Sequence, residues 1–231
     1  MSHPKSNELI VVLHGIGMNR PRMAYLSFCL KRAGYSVLNL GYPSLRNDIE
    51  NFAAFAQQKI ENFVQPSHSK IHFVAHSMGC LVALELLASR KVSNPGRAVL
   101  IAPPYQGSEV ADMMQHWAPY RFFFGPAGQQ LTTAYRKSVA YDLPEGLELG
   151  VIAGTRAWEY PLFLSTMKQT GSHDGLVSLK STLIPGAKDH ITIRMSHSFL
   201  LEKSAGHALH FLEQGRFIDK AERPFTSTPT F

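Results

Sequence analysis

A chain of 231 residues with 45% hydrophobic and 17% charged residues has the balance of a folded globular protein and the length of one α/β domain. Its net charge of +6 is spread over scattered lysines and arginines, which excludes a nucleic-acid stripe, and its two cysteines exclude a disulfide framework or a zinc pattern. No apolar stretch approaches the length of a membrane span, and the polar start Met1-Ser2-His3-Pro4-Lys5 lacks a secretory apolar region, so the expected location is the cytoplasm.

The run ELIVVL over residues 8–13 is continuously apolar and β-branched after its first residue, as a strand covered on both faces should be. A helix is expected over residues 21–33, stopped by Gly34, and a second strand over 35–40. Apolar Ile49, Phe52, Ala53, Ala56, Ile60 and Phe63 recur at helical spacing within residues 47–64. The third strand is read at 70–75. It leads into a helix over 78–89 whose only charge is Glu85, so that helix should be buried on most sides. Cys29 and Cys80 fall in such apolar helical stretches and are expected as buried thiols.

Strands follow at 97–102, 147–153 and 191–195, and a helix over 199–212 closes the fold. Alternating β and α units imply a mainly parallel sheet of about six strands with helices on both faces, binding ligands at the strands' carboxyl ends. One domain is expected over residues 1–222, with a loose tail over 223–231. Residues 103–146 are too long for an ordinary loop and carry Trp117, Tyr120, Phe122 and Phe123, which suggests an aromatic, lid-like insertion over a site. These four aromatics and Phe124 are candidates to line a substrate pocket, with packing against the core as the alternative. Ser108 suits the cap of a helix beginning at Glu109.

Ala75-His76-Ser77-Met78-Gly79 lies between an apolar strand and an apolar helix, the setting of a nucleophile elbow. The serine of such a turn is strained, and the residues two before and two after it must be small for strand and helix to approach. After the first strand comes His14-Gly15-Ile16-Gly17. Acyl transfer needs two backbone N–H groups aimed at a developing oxyanion, and the amides of Ile16 and Met78 are the candidates. A dinucleotide fingerprint is excluded at this loop because Arg20 stands where its third glycine belongs.

A serine nucleophile needs a base, and the base needs an orienting acid, in the chain order serine, acid, histidine. Asp112, Asp142, Asp174 and Asp189 follow Ser77. Asp174 is selected because it precedes Gly175 in a loop beyond the fifth strand, a tight turn that presents a carboxylate. Of the eleven histidines only His190, His197, His207 and His210 come after it. His197 follows the last strand at the carboxyl rim, whereas His190 starts that strand and the other two lie inside the last helix.

Taken together, the His14–Gly17 loop, the Ala75–Gly79 elbow, Asp174-Gly175-Leu176-Val177 and His197 before Phe199-Leu200-Leu201 resemble a small bacterial lipase or esterase of the α/β-hydrolase superfamily. The resemblance spans nearly the whole chain and is to compact forms lacking the first hairpin. It implies a carboxylic-ester hydrolase with no cofactor and no metal, acting on a small-molecule or lipid-like ester through Ser77, Asp174 and His197. It also implies that His76 buttresses the elbow. An acyl-thioesterase or acyltransferase would use the same three residues. A membrane-associated lipase would add the Arg121-Phe122-Phe123-Phe124 patch as its contact with a membrane surface, and a different class altogether is an inactive binding protein on the same fold.

Overall fold

The computed structural model describes residues 5–45, 47–157 and 171–218. Six strands form one sheet: β1 (Glu8–Leu13), β2 (Ser36–Leu40), β3 (Lys70–His76), β4 (Pro95–Ile101), β5 (Leu149–Gly154) and β6 (Asp189–Ile193). Their spatial order is β2-β1-β3-β4-β5-β6, and every neighbouring pair is parallel. The helices are α1 (Ala24–Arg32), α2 (Ile49–Phe63), α3 (Met78–Ala88), α4 (Glu109–Met114), α5 (Ala118–Gln130), α6 (Thr133–Lys137) and α7 (Leu200–Gln214).

Strand periodicity assigns the core to two layers. Leu9, Val11 and Leu13 of β1 join Phe73 of β3 and Leu100 of β4 on one face, under α2 and α3. Ile10 and Val12 join Val74, Val99 and Ile152 on the other face, under α1 and α7. Burial on both faces accounts for the continuous apolar runs of β1, β3 and β4. α3 is buried nearly all round, with Glu85 at its partly exposed side.

The last strand sits two residues earlier than its sequence suggests, at Asp189–Ile193 rather than 191–195. It is an edge strand with no fully buried residue, so its apolar signal is weak. The expected helix over 21–33 begins as a 3-10 turn, Arg20–Met23, before α1. Gly34, at φ 95°, ends α1, with its N–H donating to Lys31 O at 2.9 Å. Cys80 is buried, but Cys29 is only partly so, which corrects the expectation of two buried thiols; both are free. The tail over 223–231 lies outside the described residues. No helix among those described is long and apolar enough to cross a membrane.

The chain leaves β1 towards β2 on one side and returns to β3 on the other. Such a switch point opens a crevice at the carboxyl ends of β1 and β3. The His14–Gly17 loop and Ser77 both lie at this rim, directly after those two strands.

Candidate active site

Because β3 ends at His76 and α3 begins at Met78, Ser77 alone makes the strand-to-helix turn. Its φ of 54° and ψ of −128° lie in a region that costs a side-chain-bearing residue about 1–3 kcal/mol. The turn is pinned by the Ser77 N–H, which donates to Ile101 O at the end of β4 (2.9 Å). A Cβ on Gly79 would stand 2.5 Å from His14 O and 2.8 Å from Leu13 O, so the first turn of α3 lies directly against the end of β1. A Cβ on Gly15 would stand 2.9 Å from Ser77 Cβ and 3.4 Å from its Oγ, so the loop after β1 touches the serine itself. The Met78 N–H is the first of its helix, where no intrahelical acceptor is available.

The loop is held from behind by His14, which is fully buried and stacked on Tyr42 with ring centroids 4.3 Å apart. Tyr42 Oη donates to the His14 carbonyl. Burial lowers the His14 pKa below the ordinary imidazole range, so this support stays neutral.

Asp174 lies in a turn closed by an antiparallel bridge between His173 and Ser178. Its Oδ1 accepts from the N–H groups of Leu176 (3.0 Å) and Val177 (2.8 Å), and its Oδ2 lies 2.7 Å from Nδ1 of His197. Both side chains are buried. The His197 N–H also donates to Asp174 O at 3.0 Å, so main chain and side chain join the two segments. With Nδ1 donating to the carboxylate, Nε2 is left as the basic nitrogen. Gly154, the last residue of β5, makes room for this pair: a Cβ there would stand 2.6 Å from Asp174 Cβ and 2.7 Å from Met195 O.

Two further residues hold the His197 segment, and neither was assigned that task by the sequence. His76 is fully buried, with its ring centroid 4.7 Å from that of His197, and its Nε2 donates to the His197 carbonyl at 3.2 Å. Burial, reinforced by the neighbouring imidazole of His197, pushes its pKa well below the ordinary range, so it serves as a neutral donor. Arg22, from the 3-10 turn before α1, donates to the Ser198 carbonyl and pairs with Glu202 at 3.0 Å. A carbonyl offers no side-chain pattern, which hides such partners from sequence reading.

The competing acids and histidines are engaged elsewhere. Asp112 accepts from Thr133 N–H (2.8 Å) and Oγ1 (2.7 Å), Asp142 pairs with Arg90 at the surface, and Asp189 accepts from Phe217 N–H. His190 lies within β6 beside Thr182 Oγ1, and His207 and His210 lie within α7.

Ser77 opens onto a cavity of about 270 Å³ between the loop after β1 and the 103–146 segment. Ile16 and Tyr120 line it. Trp117, Phe122 and Phe123 do not, being 58%, 65% and 56% exposed. The helical period explains this correction: Tyr120 and Phe124, four apart on α5, share its inner face, and Phe124 joins Tyr120 in lining the cavity. α5 then bends at Gly125 (φ 54°) and Pro126. Gly128 lets Tyr120 and Phe124 pack at 5.0 Å between centroids, since a Cβ there would stand 2.8 Å from Phe124 Cβ. The Tyr120 pKa is pushed up to about 12 by burial, and its hydroxyl donates to Gly128 O at 3.0 Å. Ser108 caps α4 by accepting from Ala111 N–H. Among the described residues no three His, Cys, Asp or Glu side chains cluster as metal ligands.

Comparison with known proteins places this geometry in context. No curated protein matches the chain by sequence. The fold is similar to that of the Bacillus licheniformis lipase BlEst2 in its mature form, with a TM-score of 0.76 and 20% identity over 90% of this chain and 93% of that one. In its propeptide form the same lipase gives 0.77 and 18% over 90% of this chain, which then spans 50% of the longer protein. A metagenomic carboxyl esterase, MGS0156, gives 0.65 and 18%, covering 87% of this chain and 71% of its own. The model of the alpha/beta hydrolase family matches residues 10–220, and the chain belongs to that family.

Proposed function

We propose that this protein is a serine carboxylic-ester hydrolase working through Ser77, His197 and Asp174. The observation that carries the reading is the buried 2.7 Å contact between Asp174 and His197, tied through His76 to the strained turn at Ser77. His197 Nε2 takes the proton of Ser77 as Oγ attacks the acyl carbonyl, and the amides of Ile16 and Met78 receive the oxyanion. Collapse breaks the ester C–O bond as His197 returns the proton to the leaving alcohol. Water then gives a proton to His197 and attacks the acyl-serine, and that proton passes back to Ser77 as the acid departs. Asp174 keeps the imidazole in the productive tautomer and stabilises the imidazolium.

The similar folds of a lipase and a carboxyl esterase support an ester, small-molecule or lipid-like, as the substrate class. A fluorophosphonate probe tests the reading. It should label the wild-type protein at Ser77 and leave Ser77→Ala unlabelled, with hydrolysis of p-nitrophenyl acetate lost in parallel. Labelling at another residue, or none in folded protein, defeats it.

A further inference from the structure

We propose that Ser108 is a positioning residue for the acid: its hydroxyl grips the Leu176–Val177 peptide, and the N–H of that peptide grips Asp174. This rests on the hydrolase reading given above. A peptide unit is planar, so its C=O and N–H turn together. At one end, Leu176 O accepts from Ser108 Oγ at 2.7 Å. At the other, the Val177 N–H donates to Asp174 Oδ1 at 2.8 Å, and Asp174 Oδ2 meets His197 Nδ1 at 2.7 Å. An unbroken line of hydrogen bonds thus runs from the 103–146 segment to the imidazole.

Ser108, Val177, Asp174 and His197 are all buried. Away from water each bond polarises the next, so a proton given to the Leu176 carbonyl makes the Val177 N–H a better donor. A serine hydroxyl has one proton to give. Capping α4 leaves that proton unspent, because there Ser108 Oγ only accepts, from the Ala111 N–H at 3.4 Å. Ser108 is itself held in place. Its N–H donates to Leu131 O at 2.8 Å, and Gly107 (φ 103°) lies so near Thr133 that a Cβ would stand 2.5 Å from Thr133 Cα. The Leu176 N–H also donates to Asp174 Oδ1, at 3.0 Å, so loss of Ser108 loosens the carboxylate without freeing it. The expected effect is therefore modest.

Ser108 also lines the cavity beside Ser77, so the test must separate action through Asp174 from contact with substrate. Ser108→Gly removes the donor and keeps an acceptable helix cap, whereas Ser108→Thr keeps both donor and cap. With p-nitrophenyl acetate, Ser108→Gly should lower kcat about three- to tenfold, the worth of one hydrogen bond, with KM within about twofold of wild type. Ser108→Thr should restore most of the loss. A proton NMR readout needs no substrate: the far-downfield resonance of the His197 Nδ1–H, identified by its absence in His197→Ala. It should shift in Ser108→Gly and return in Ser108→Thr.

Thr132 supplies a matched control. Its hydroxyl likewise donates to a carbonyl, Gln129 O at 2.8 Å, and caps α6 through the Tyr135 N–H at 3.4 Å, but that carbonyl lies outside the acid's turn. Thr132→Gly should lower the melting temperature and leave both resonance and kcat in place. Should Ser108→Gly fail to fold, Ser108→Cys, close in size and a far weaker donor, gives the same reading in smaller measure. An unmoved resonance with unchanged kcat in a folded Ser108 variant overturns the proposal, as does an equal shift in Thr132→Gly. In either case wild-type protein labelled by the fluorophosphonate at Ser77 leaves the hydrolase reading standing. Absence of both labelling and turnover removes that reading, and this proposal with it.

Discussion

The rim around Asp174 and His197 and the segment over 103–146 are secured in different ways. At the rim the grip is mostly main chain. Two amides hold the carboxylate, the His197 N–H meets Asp174 O, and His76 and Arg22 reach the carbonyls of residues 197 and 198. Gly79 and Gly154 let backbone pass against backbone oxygens. In the segment, contacts between side chains are added to those with main chain: Asp112 on Thr133, Gln130 on Glu50 and Tyr135, and Arg136 on Tyr141. Much of what fixes the groups proposed for chemistry is therefore main chain, which nearly every residue type supplies, whereas the segment adds pairs of side chains that substitution replaces.

This contrast is sharpest where activity is measured. Ser77→Ala and His197→Ala should each lower kcat by about 10⁴- to 10⁶-fold with circular dichroism unchanged. Asp174→Asn should cost about 10⁴-fold or somewhat less. Near-normal turnover by the Asp174 variant would transfer the acid's role to another residue. Gly154→Ala and Gly79→Ala come next, since each added carbon meets main chain within 2.8 Å, and overpacking of this kind costs about 1–3 kcal/mol. Urea midpoints equal to wild type would show that the rim yields more readily than its contacts imply.

Acid should expose the buried imidazoles. His14, His72, His76 and His190 all have pKa values lowered by burial, so between their folded values and about 6.5 the unfolded chain binds protons that the native state refuses. Their contribution is complete above about pH 6.5 and is lost as pH falls through that window. The melting temperature should drop between pH 7 and 5, and His72→Gln should flatten the slope; an unchanged slope in that variant would discharge His72 from the effect. The smallest change should come from the exposed aromatics of the segment. Trp117→Ser and Phe123→Ser should shift stability by less than about 0.5 kcal/mol and leave turnover of a soluble ester near wild type. A larger loss of turnover would bring these side chains into the site.

How much of this was legible in the sequence differs along the same divide. β1, β3 and β4 announce themselves because strands buried on both faces read as unbroken apolar runs, while β6, half-exposed at an edge, was misplaced by two residues. Asp174 and His197 are reached from chain order and from the glycine beside the acid, and the structure sets them 2.7 Å apart. The supports of that pair, Arg22 and the Leu176 and Val177 amides, act on or through main chain and leave no composition to read. The aromatic cluster was visible, but which members turn inward depends on where α5 starts and how it bends at Gly125, and a list of aromatics contains neither fact.

Ser77 carries one more consequence. Its backbone occupies a conformation in which glycine sits at ease, so Ser77→Gly removes the hydroxyl and the conformational penalty together. Folding therefore pulls against the hydroxyl proposed as the nucleophile, and the glycine variant should be the sturdier of the two. Selection for heat resistance alone, applied to a library varied at this position, would converge on chains without the proposed nucleophile.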